Sequence, residues 1–410
     1  MTAPTTPPTY FRKGFGLKAD VEEELATAYD GRLVDLLKER DYSISSGGVT
    51  VRLAREFGFC YGVERAVEYA YQTRKKFPDK KIYLAGEIIH NPHINRRLSE
   101  AGVIFLKHNA NTNEASFDFS IVNPDDVVLL PAFGVTVADF ATLRERGCVM
   151  VDTTCGSVLN VWKRVESYAR DGYTALIHGK YYHEETRATA SQVMKYPGGQ
   201  YIIVRDMDEV RIVCDFLEGK RGADEIRAKF SPHAASPEFD PDRDLKRIGV
   251  ANQTTMLASE SLAIAAETQA AMARGHGEEY AAANFRTFDT ICSATQDRQD
   301  AVQEMLLDPP DIMVVVGGYN SSNTISLAAM CADKVSTYHI EDATCIDVGA
   351  GVIHHRLRQG RDDVATPDWL PATGDVVVGI TAGASTPNNK IAETVARIFA
   401  TRGVDTATIR

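Results

Sequence analysis

Three of the chain's cysteines stand where thiolate chemistry is possible. Cys60, Cys155 and Cys292 each follow a strand-like run and precede a helix-like run, in the segments FGFCYGVERAVEYAY, VDTTCGSVLNVWKRVESYA and FDTICSATQDRQDAVQEML. Cysteine thiolates are the usual ligands of iron-sulfur clusters and are also good zinc ligands. Three thiolates brought to one point leave one position of a cubane cluster, or of a zinc ion, open for substrate. On placement alone, ordinary turn cysteines are an equal alternative, because no CxxC pair is present.

The other four cysteines differ in context. Cys148, Cys214, Cys331 and Cys345 lie within or beside apolar runs, which favours small buried hydrophobic side chains. Seven cysteines in a long chain without an export signal fit reduced thiols better than a disulfide framework. A cytoplasmic location is therefore the expectation.

Two histidines and a carboxylate occupy comparable positions. His90 in IIHNPH and His183 in YYHEET precede or begin helix-like runs, where an imidazole and free backbone N–H groups can bind phosphate oxygens. A helix cap or a surface position is the alternative for both. Glu185 could act as a general acid, although the residues alone favour a first-turn carboxylate stabilised by the helix dipole.

Small hydroxyl and amide side chains follow other strand-like runs. Gln253, Thr254 and Thr255 belong to the turn NQTT, residues 320–323 form the turn Asn-Ser-Ser-Asn, and Ser385 ends TAGAS. Several small donors at a strand-to-helix turn suit an anion, and plain N-capping competes equally. Because ligands of open α/β sheets bind beyond the carboxyl ends of the strands, this shared placement predicts a binding site there.

Alternating strands and helices must position these residues. From Val49 onward the two patterns alternate, which predicts an α/β fold with mainly parallel sheets flanked by helices. Before it lies an arm whose apolar spacing at Val21, Leu25, Leu33 and Leu37 indicates helix. The arm contains no obvious chemistry.

Five segments are predicted along the chain. They are an N-terminal arm over 1–48, α/β domains over 49–150, 151–284 and 285–375, and a C-terminal strand and helix over 376–410 that return toward the active site and the first domain. The stretches 220–247 and 347–373 are polar, and we expect irregular surface structure in both.

Composition excludes several classes of protein. The chain has 410 residues and a formal net charge of -11, which argues against broad nucleic-acid binding but allows a local basic pocket for a small anion. It has no run approaching the roughly 18 apolar residues of a membrane-spanning helix. No membrane association is expected.

Eight motifs in order carry a resemblance to a known family. They are FGFCYGVERAV, GEIIHNPH, VDTTCGSV, IHGKYYHEET, NQTTML, DTICSATQDRQ, GGYNSSNT and TAGAST. Together they resemble the 4-hydroxy-3-methylbut-2-enyl diphosphate reductases, the last enzymes of the methylerythritol phosphate route to isoprenoids. The match runs from about Val49 to the last helix, and the arm, with RKGFG, is similar to that of the long cyanobacterial and plant form.

The resemblance implies a fold, a cofactor and a reaction. It implies three α/β domains arranged with pseudo-threefold symmetry around a central [4Fe-4S] cluster bound by Cys60, Cys155 and Cys292. The unique iron would take the substrate's hydroxyl oxygen, and two electrons from ferredoxin or flavodoxin would drive its loss as water. The products would be isopentenyl and dimethylallyl diphosphate, and a homodimer is possible.

The same resemblance implies roles for individual side chains. Glu185 would supply protons, with Thr254 orienting it, and Gln253 and Thr255 would neighbour that network. A proton on the departing oxygen is needed because hydroxide is a poor leaving group. The residues that would hold the diphosphate are His90, His183, Ser321, Ser322, Asn323 and Ser385.

One position departs from the short bacterial form. That form has a histidine in its HGV motif where this chain reads PAFGV, so Phe133 receives no polar role. Two other readings remain open. The first is a zinc-dependent or cysteine-nucleophile hydrolase that uses Cys155 with His183. The second is an iron-sulfur or redox-sensing binding protein, in which Glu185 has no function.

Overall fold

The computed structural model describes residues 9–108, 117–231, 233–288, 290–356 and 362–409. The first eight residues of the predicted arm, and small parts of the two stretches predicted to be irregular, lie outside them. The strands of the described residues are β1 Tyr10–Phe11, β2 Ser43–Ser46, β3 Val49–Leu53, β4 Ile82–Ala85, β5 Val103–Leu106, β6 Val127–Leu130, β7 Val149–Asp152, β8 Thr174–His178, β9 Tyr201–Val204, β10 Ile248–Asn252, β11 Phe285–Thr287, β12 Ile312–Val316, β13 Ser336–Ile340, β14 Ile346–Asp347, β15 Val352–Arg356, β16 Asp363–Pro367 and β17 Val376–Ala382.

Helices separate most of these strands. They are α1 Lys18–Tyr29, α2 Arg32–Glu39, α3 Tyr61–Lys76, α4 Pro92–Glu100, α5 Val137–Arg146, α6 Gly156–Arg170, α7 Glu184–Val193, α8 Met207–Leu217, α9 Ala223–Phe230, α10 Pro241–Asp244, α11 Ala258–His276, α12 Glu278–Asn284, α13 Ser293–Met305, α14 Ser322–Ala332 and α15 Asn388–Thr401. In the part of the chain that the structure describes, none of them is both long and apolar enough to cross a membrane.

The first of two compact units contains two parallel sheets. It takes in the described residues of 1–15, 73–88 and 98–292. Its sheets have the strand orders β1-β7-β6-β4-β5 and β11-β10-β8-β9, and every pair in them is parallel. Strands β4, β6, β8 and β10 are buried along their whole length. Such continuous burial is typical of parallel strands covered by helices on both faces.

The second compact unit contains one sheet. It takes in the described residues of 16–72, 89–97 and 293–410, with the strand order β14-β15-β13-β12-β17-β3-β2 and β16 paired with β15. Its centre, from β13 to β3, is parallel, and its two edges are antiparallel. Buried residues of β12 and β17 form a hydrophobic core with helices α2 and α15.

The predicted α/β class with mainly parallel sheets is confirmed. The proposed domain boundaries stay a prediction, and one strand lies elsewhere than they suggest. Strand β3, assigned to the first domain, pairs in parallel with β17 in the sheet of the second unit, with Val51 opposite Val378. This pairing joins residues far apart in the sequence, and local alternation carries no information about it.

Both stretches predicted to be irregular contain regular structure, so that prediction was wrong. Strands β15 and β16 form an antiparallel pair at the sheet edge, with Ile353 and His355 buried. The many polar residues in these two strands hide the alternation of more buried and more exposed positions in the sequence. Helix α9 places Ile226 and Phe230 in the core of the first unit. Two apolar residues one helical turn apart, between charged ones, are enough to bury one face of that helix.

The arm contributes short elements to each of the two units. Its predicted helical spacing is confirmed by α1 and α2, in which Val21, Leu33 and Leu37 are buried. Upstream, β1 adds a parallel strand to the first sheet beside β7. Downstream, β2 pairs with β3.

Candidate active site

In the first unit, Cys155 and Cys292 each lie at the start of a helix. Cys155 is the N-cap residue of α6, and its backbone N–H donates to the carbonyl oxygen of Ala132 at 2.9 Å. Cys292 immediately precedes α13, and its N–H donates to the carbonyl oxygen of Thr254 at 3.4 Å. Both thiols are partly exposed. Backbone hydrogen bonds therefore tie each cysteine turn to a neighbouring loop.

A buried carboxylate occupies one of those loops. Glu185 is 1% exposed. Its Oε1 accepts from the backbone N–H of Thr254 at 2.6 Å, and its Oε2 accepts from the Thr254 hydroxyl at 3.0 Å. Two donors from one residue fix the plane of the carboxylate. The predicted pairing of Glu185 with Thr254 is present.

His183 is held in one tautomer by its place in the chain. It is the N-cap residue of α7, and its Nδ1 accepts from the backbone N–H of Glu185 at 3.1 Å. Because Nδ1 is an acceptor there, a neutral imidazole carries its proton on Nε2. The ring packs edge-on against Phe133, with centroids 5.4 Å apart. Phe133 thus orients a histidine, a role that the sequence did not predict.

These contacts form one connected series within the first unit, which we call the first-unit site. It runs through Cys292, Thr254, Glu185, His183, Phe133, Ala132 and Cys155. Two cysteine turns and one carboxylate are therefore joined by direct contacts.

The side chain of Gln253 holds the loop that carries His183. It is fully buried. Its Oε1 accepts from the N–H of Lys180 at 3.2 Å and the hydroxyl of Thr186 at 3.0 Å, while its Nε2 donates to Thr255 Oγ1 at 2.8 Å. Gln253 and Thr255 lie next to Thr254, as predicted.

Sequence reasoning missed Lys180. Its side chain is largely removed from water, and this desolvation lowers the pKa of the ammonium group. The signal available was its position two residues after the buried strand β8, at the carboxyl end where polar side chains gather. It adds a cation to the loop of His183.

In the second unit, the turn of Cys60 lies beside the end of β17. The backbone N–H of Cys60 donates to Ala384 O at 3.2 Å, and that of Gly58 donates to Ala382 O at 3.2 Å. Gly58 has φ +66°, and a Cβ there would lie 3.0 Å from the carbonyl oxygen of Thr386. Glycine is required for this close approach. Helix α3 begins at the residue after Cys60.

His90 lies among amide and hydroxyl groups. Its Nδ1 is 3.4 Å from the amide Nδ2 of Asn320, and its carbonyl oxygen accepts from Ser385 Oγ at 3.2 Å. Asn91 Nδ2 donates to Ser385 O at 2.8 Å. An amide donor on Nδ1 again leaves the imidazole proton on Nε2. Asn91 was not among the predicted site residues, whereas Asn320 belongs to the predicted turn 320–323 but received no role of its own.

Helix α14 begins in the same region. Ser321 is its N-cap residue and accepts from the N–H of Thr324. Asn323 is 2% exposed, and its Oδ1 accepts from the N–H of Ala384 at 2.9 Å. The Asn323 Nδ2 group has no hydrogen-bond acceptor among the described residues. A buried amide donor at a helix N-terminus suits an anion.

We call these residues of the second unit the second-unit site. Its members are Cys60, His90, Ser321, Ser322, Asn323 and Ser385. Three of them, His90, Asn323 and Ser385, together with Asn91 and Asn320, are joined to the Cys60 turn or to each other by the contacts above, and Ser321 caps α14. Ser322 is 3% exposed and begins α14.

The remaining cysteines contrast with those at the helix starts. Burial raises the pKa of the Cys148 thiol, and raises the pKa of Cys214 and of Cys331 to about 12. These three are buried, as predicted, and protonated thiols are poor ligands. Cys345 is only partly buried, with Tyr319 Oη 3.8 Å from its sulfur, so the prediction of a buried apolar residue was wrong there.

Comparisons with known proteins agree on one family. A family model described as LytB protein matches residues 51–399. The chain is 45% identical over 399 residues to the 4-hydroxy-3-methylbut-2-enyl diphosphate reductase of Gloeobacter violaceus, which covers 96% of this chain and 93% of that protein. It is 44% identical to the protein of that name from Trichormus variabilis, which covers 95% of this chain and 94% of that protein.

Two solved structures are similar as well. One is an (E)-4-hydroxy-3-methyl-but-2-enyl diphosphate reductase described as the terminal enzyme of the non-mevalonate pathway, with 27% identity, a TM-score of 0.50 and coverage of 85% of this chain and 99% of that one. The other, the reductase from Plasmodium falciparum, has 20% identity, a TM-score of 0.60 and coverage of 84% and 86%, and supports the fold alone. On the near full-length matches, the chain belongs to the LytB protein family, the family that its ordered motifs resemble.

Proposed function

We propose that this protein is a 4-hydroxy-3-methylbut-2-enyl diphosphate reductase. It removes the hydroxyl group of its substrate reductively, and the products are isopentenyl and dimethylallyl diphosphate. The balance is substrate plus two electrons and two protons, giving product plus water. One proton leaves with the hydroxyl oxygen, and the other is added to carbon. Family membership supports the substrate and the reaction class.

One observation carries the proposal furthest. A 1% exposed carboxylate, that of Glu185, is fixed by Thr254 in the connected series that also contains the turns of Cys155 and Cys292. Reductive loss of hydroxide requires a proton at the departing oxygen. We assign Glu185 as the proton donor and Thr254 as the residue that orients it.

The proposed cofactor is a [4Fe-4S] cluster held by Cys60, Cys155 and Cys292. The donor set suits it, because all three cysteines lie at helix starts and are partly exposed, so that their sulfurs are accessible to iron. When bound, such a cluster supplies electrons one at a time and keeps a coordination position that no cysteine fills. The three cysteines with raised thiol pKa values are excluded as ligands.

We assign the diphosphate to neutral donors. His90 and His183 each engage Nδ1 as an acceptor, which leaves an Nε2–H group to donate to phosphate oxygens. Asn323 contributes its buried Nδ2 group. Ser321, Ser322 and Ser385 complete the proposed set, and the N-terminus of α14 adds a favourable dipole. Gln253 and Thr255 belong to the site through the loop that they hold.

The proposal includes partners and a location. A ferredoxin or flavodoxin is the proposed electron donor and a homodimer the proposed assembly, and both rest on the family resemblance alone. The cytoplasmic location is proposed because seven cysteines in a long chain fit reduced thiols better than a disulfide framework.

Anaerobic purification tests the function directly. Protein reconstituted with iron and sulfide should absorb broadly near 400 nm and convert the diphosphate substrate to both products with a reduced low-potential donor. A Cys155-based hydrolase would instead keep its activity in Cys60→Ser and Cys292→Ser variants. Protein that binds no iron, or that turns over equally well without it, would contradict the proposal.

A further inference from the structure

Arg298 of helix α13 is a buried cation whose hydrogen-bond partners among the described residues are all backbone carbonyls. It is 4% exposed. Its Nη2 lies 2.7 Å from Gly58 O, 3.1 Å from Phe59 O and 3.4 Å from Phe57 O, and its Nε lies 3.1 Å from Gly58 O. Its Nη1 donates to Ala294 O at 2.7 Å. The guanidinium therefore donates hydrogen bonds to three successive carbonyl groups of the segment that leads into Cys60.

The same segment is fixed on its other edge. The N–H groups of Gly58 and Cys60 donate to carbonyl oxygens at the end of β17. Because carbonyl groups on one edge and N–H groups on the other are hydrogen-bonded, the backbone of residues 57–60 has little conformational freedom. Arg298 stands on helix α13, which starts directly after Cys292 in the sequence.

Arginine suits this place both by its shape and by its charge. Burying a guanidinium without a carboxylate partner is costly, and carbonyl dipoles offset only part of that cost. The planar fork of arginine can reach three carbonyls at once, which the ammonium group of lysine cannot do in the same geometry. A fixed positive charge beside a cysteine turn also stabilises a thiolate and any added negative charge.

We propose that Arg298 is a positioning residue for the cofactor. It holds the Cys60 turn in the geometry that binds iron, and its charge raises the reduction potential of the bound iron-sulfur cluster. This inference rests on the proposed function, because it needs the cluster to be present. Hydrogen bonding and charge near the cysteine sulfurs are the usual means by which a protein sets such a potential.

Two substitutions separate the geometry from the charge. Arg298→Lys keeps the charge and loses the fork, whereas Arg298→Gln loses both. In holoprotein we measure iron per chain after dilution under argon, and the midpoint potential by a redox titration followed by electron paramagnetic resonance. Both variants should lose iron faster than wild type. At a fixed potential, Arg298→Gln should lower the reduced-to-oxidised ratio about tenfold, a shift of about 59 mV; Arg298→Lys should shift it less.

Two control variants separate the proposed role of Arg298 from the loss of any arginine and from a general loss of stability. Arg397→Gln removes an exposed arginine of α15 and should change neither readout. Val302→Ala weakens the buried face of α13 without touching the carbonyls. The thermal unfolding midpoint of the Val302→Ala apoprotein is measured beside its iron content. The pair of values shows how much iron is lost through lower stability alone.

Two results would overturn the role of Arg298. One is that both Arg298 variants keep the iron retention and the midpoint potential of the wild type. The other is that Val302→Ala loses as much iron as the Arg298 variants when its thermal unfolding midpoint equals theirs. If wild-type protein itself binds no iron, the proposed function fails, which is a distinguishable outcome.

Discussion

The first-unit site and the second-unit site are built alike but carry different charges. Each contains a cysteine turn at a helix start and a histidine whose Nδ1 accepts a hydrogen bond. The first contains the buried carboxyl group of Glu185, whereas no member of the second carries a carboxyl group. An ionised carboxylate would repel a diphosphate, and an amide side chain cannot deliver a proton. We propose that proton transfer belongs to the first unit and that the diphosphate donors other than His183 belong to the second.

The cysteines offer the largest expected effect and could break this division. If all three bind one cluster, Ser at position 60, 155 or 292 should lower iron content and reduce activity more than about 100-fold, since loss of a thiolate ligand exceeds loss of a supporting group. Anaerobic iron analysis and turnover measure both. Cys331→Ser, in the buried core of the second unit, is the matched control. Full activity in Cys60→Ser would mean that the second unit supplies no ligand.

Substitutions of Glu185 sharpen the comparison next. Glu185→Gln keeps the shape and the contact with the Thr254 hydroxyl but cannot donate the proton, so kcat should fall about 10²–10⁴-fold. Thr254→Val removes only the 3.0 Å hydroxyl bond, and a fall of about 10-fold is expected. Iron content should stay at the wild-type value in both. An unchanged kcat in Glu185→Gln would place the proton donor elsewhere.

The second unit should respond in binding rather than in chemistry. Asn323→Ala removes a buried amide whose Nδ2 has no acceptor among the described residues, and KM should rise about 10-fold for the loss of one hydrogen bond to a charged group. Asn389→Ala is the control, because that asparagine also has one buried amide atom without a partner but belongs to the start of α15. Steady-state kinetics separates KM from kcat. A fall in kcat alone would contradict anion binding by this unit.

A buried neutral histidine in each unit predicts the smallest effect, on stability rather than catalysis. Burial lowers the pKa of His178 and of His339 to about 4. The unfolded chain takes up these protons below about pH 6.5 and the folded chain only below about 4, so the unfolding free energy falls as the pH drops through that window. Each contributes a slope of at most about 1.4 kcal/mol per pH unit.

Urea unfolding of apoprotein between pH 7 and pH 5 measures that slope. His178→Gln should reduce it, whereas His354→Gln, an exposed position, should leave it unchanged. Equal slopes in wild type and His178→Gln would show that burial of this imidazole is not linked to acid sensitivity.

The sequence contained much of the fold class and of the site. Alternating patterns predicted the parallel sheets, and the ordered motifs led to Cys60, Glu185 and Asn323 before any contact was known. The fold-class prediction is confirmed because each motif marks a strand end and the helix that follows it, whereas the roles of Cys60, Glu185 and Asn323 stay predictions. The pairing of Glu185 with Thr254 came from the same resemblance.

Contacts between distant segments could not be predicted. The pairing of β3 with β17, the packing of Phe133 on His183, and the grip of Arg298 on residues 57–59 all join parts of the chain that no local pattern connects. The polar strands β15 and β16 were missed because their burial comes from a sheet edge formed elsewhere. Local periodicity in the sequence indicates which face of a helix or strand is buried, but not which other element covers that face.

The central claim is that the three cysteines bind a cluster that reacts with the substrate. Mössbauer spectroscopy of anaerobic, iron-57-labelled protein with and without the diphosphate tests it most directly. We predict a four-iron spectrum in which substrate changes the signal of one iron and leaves the other three as they were. A spectrum that lacks iron-sulfur signals, or one in which substrate changes no iron, would contradict it.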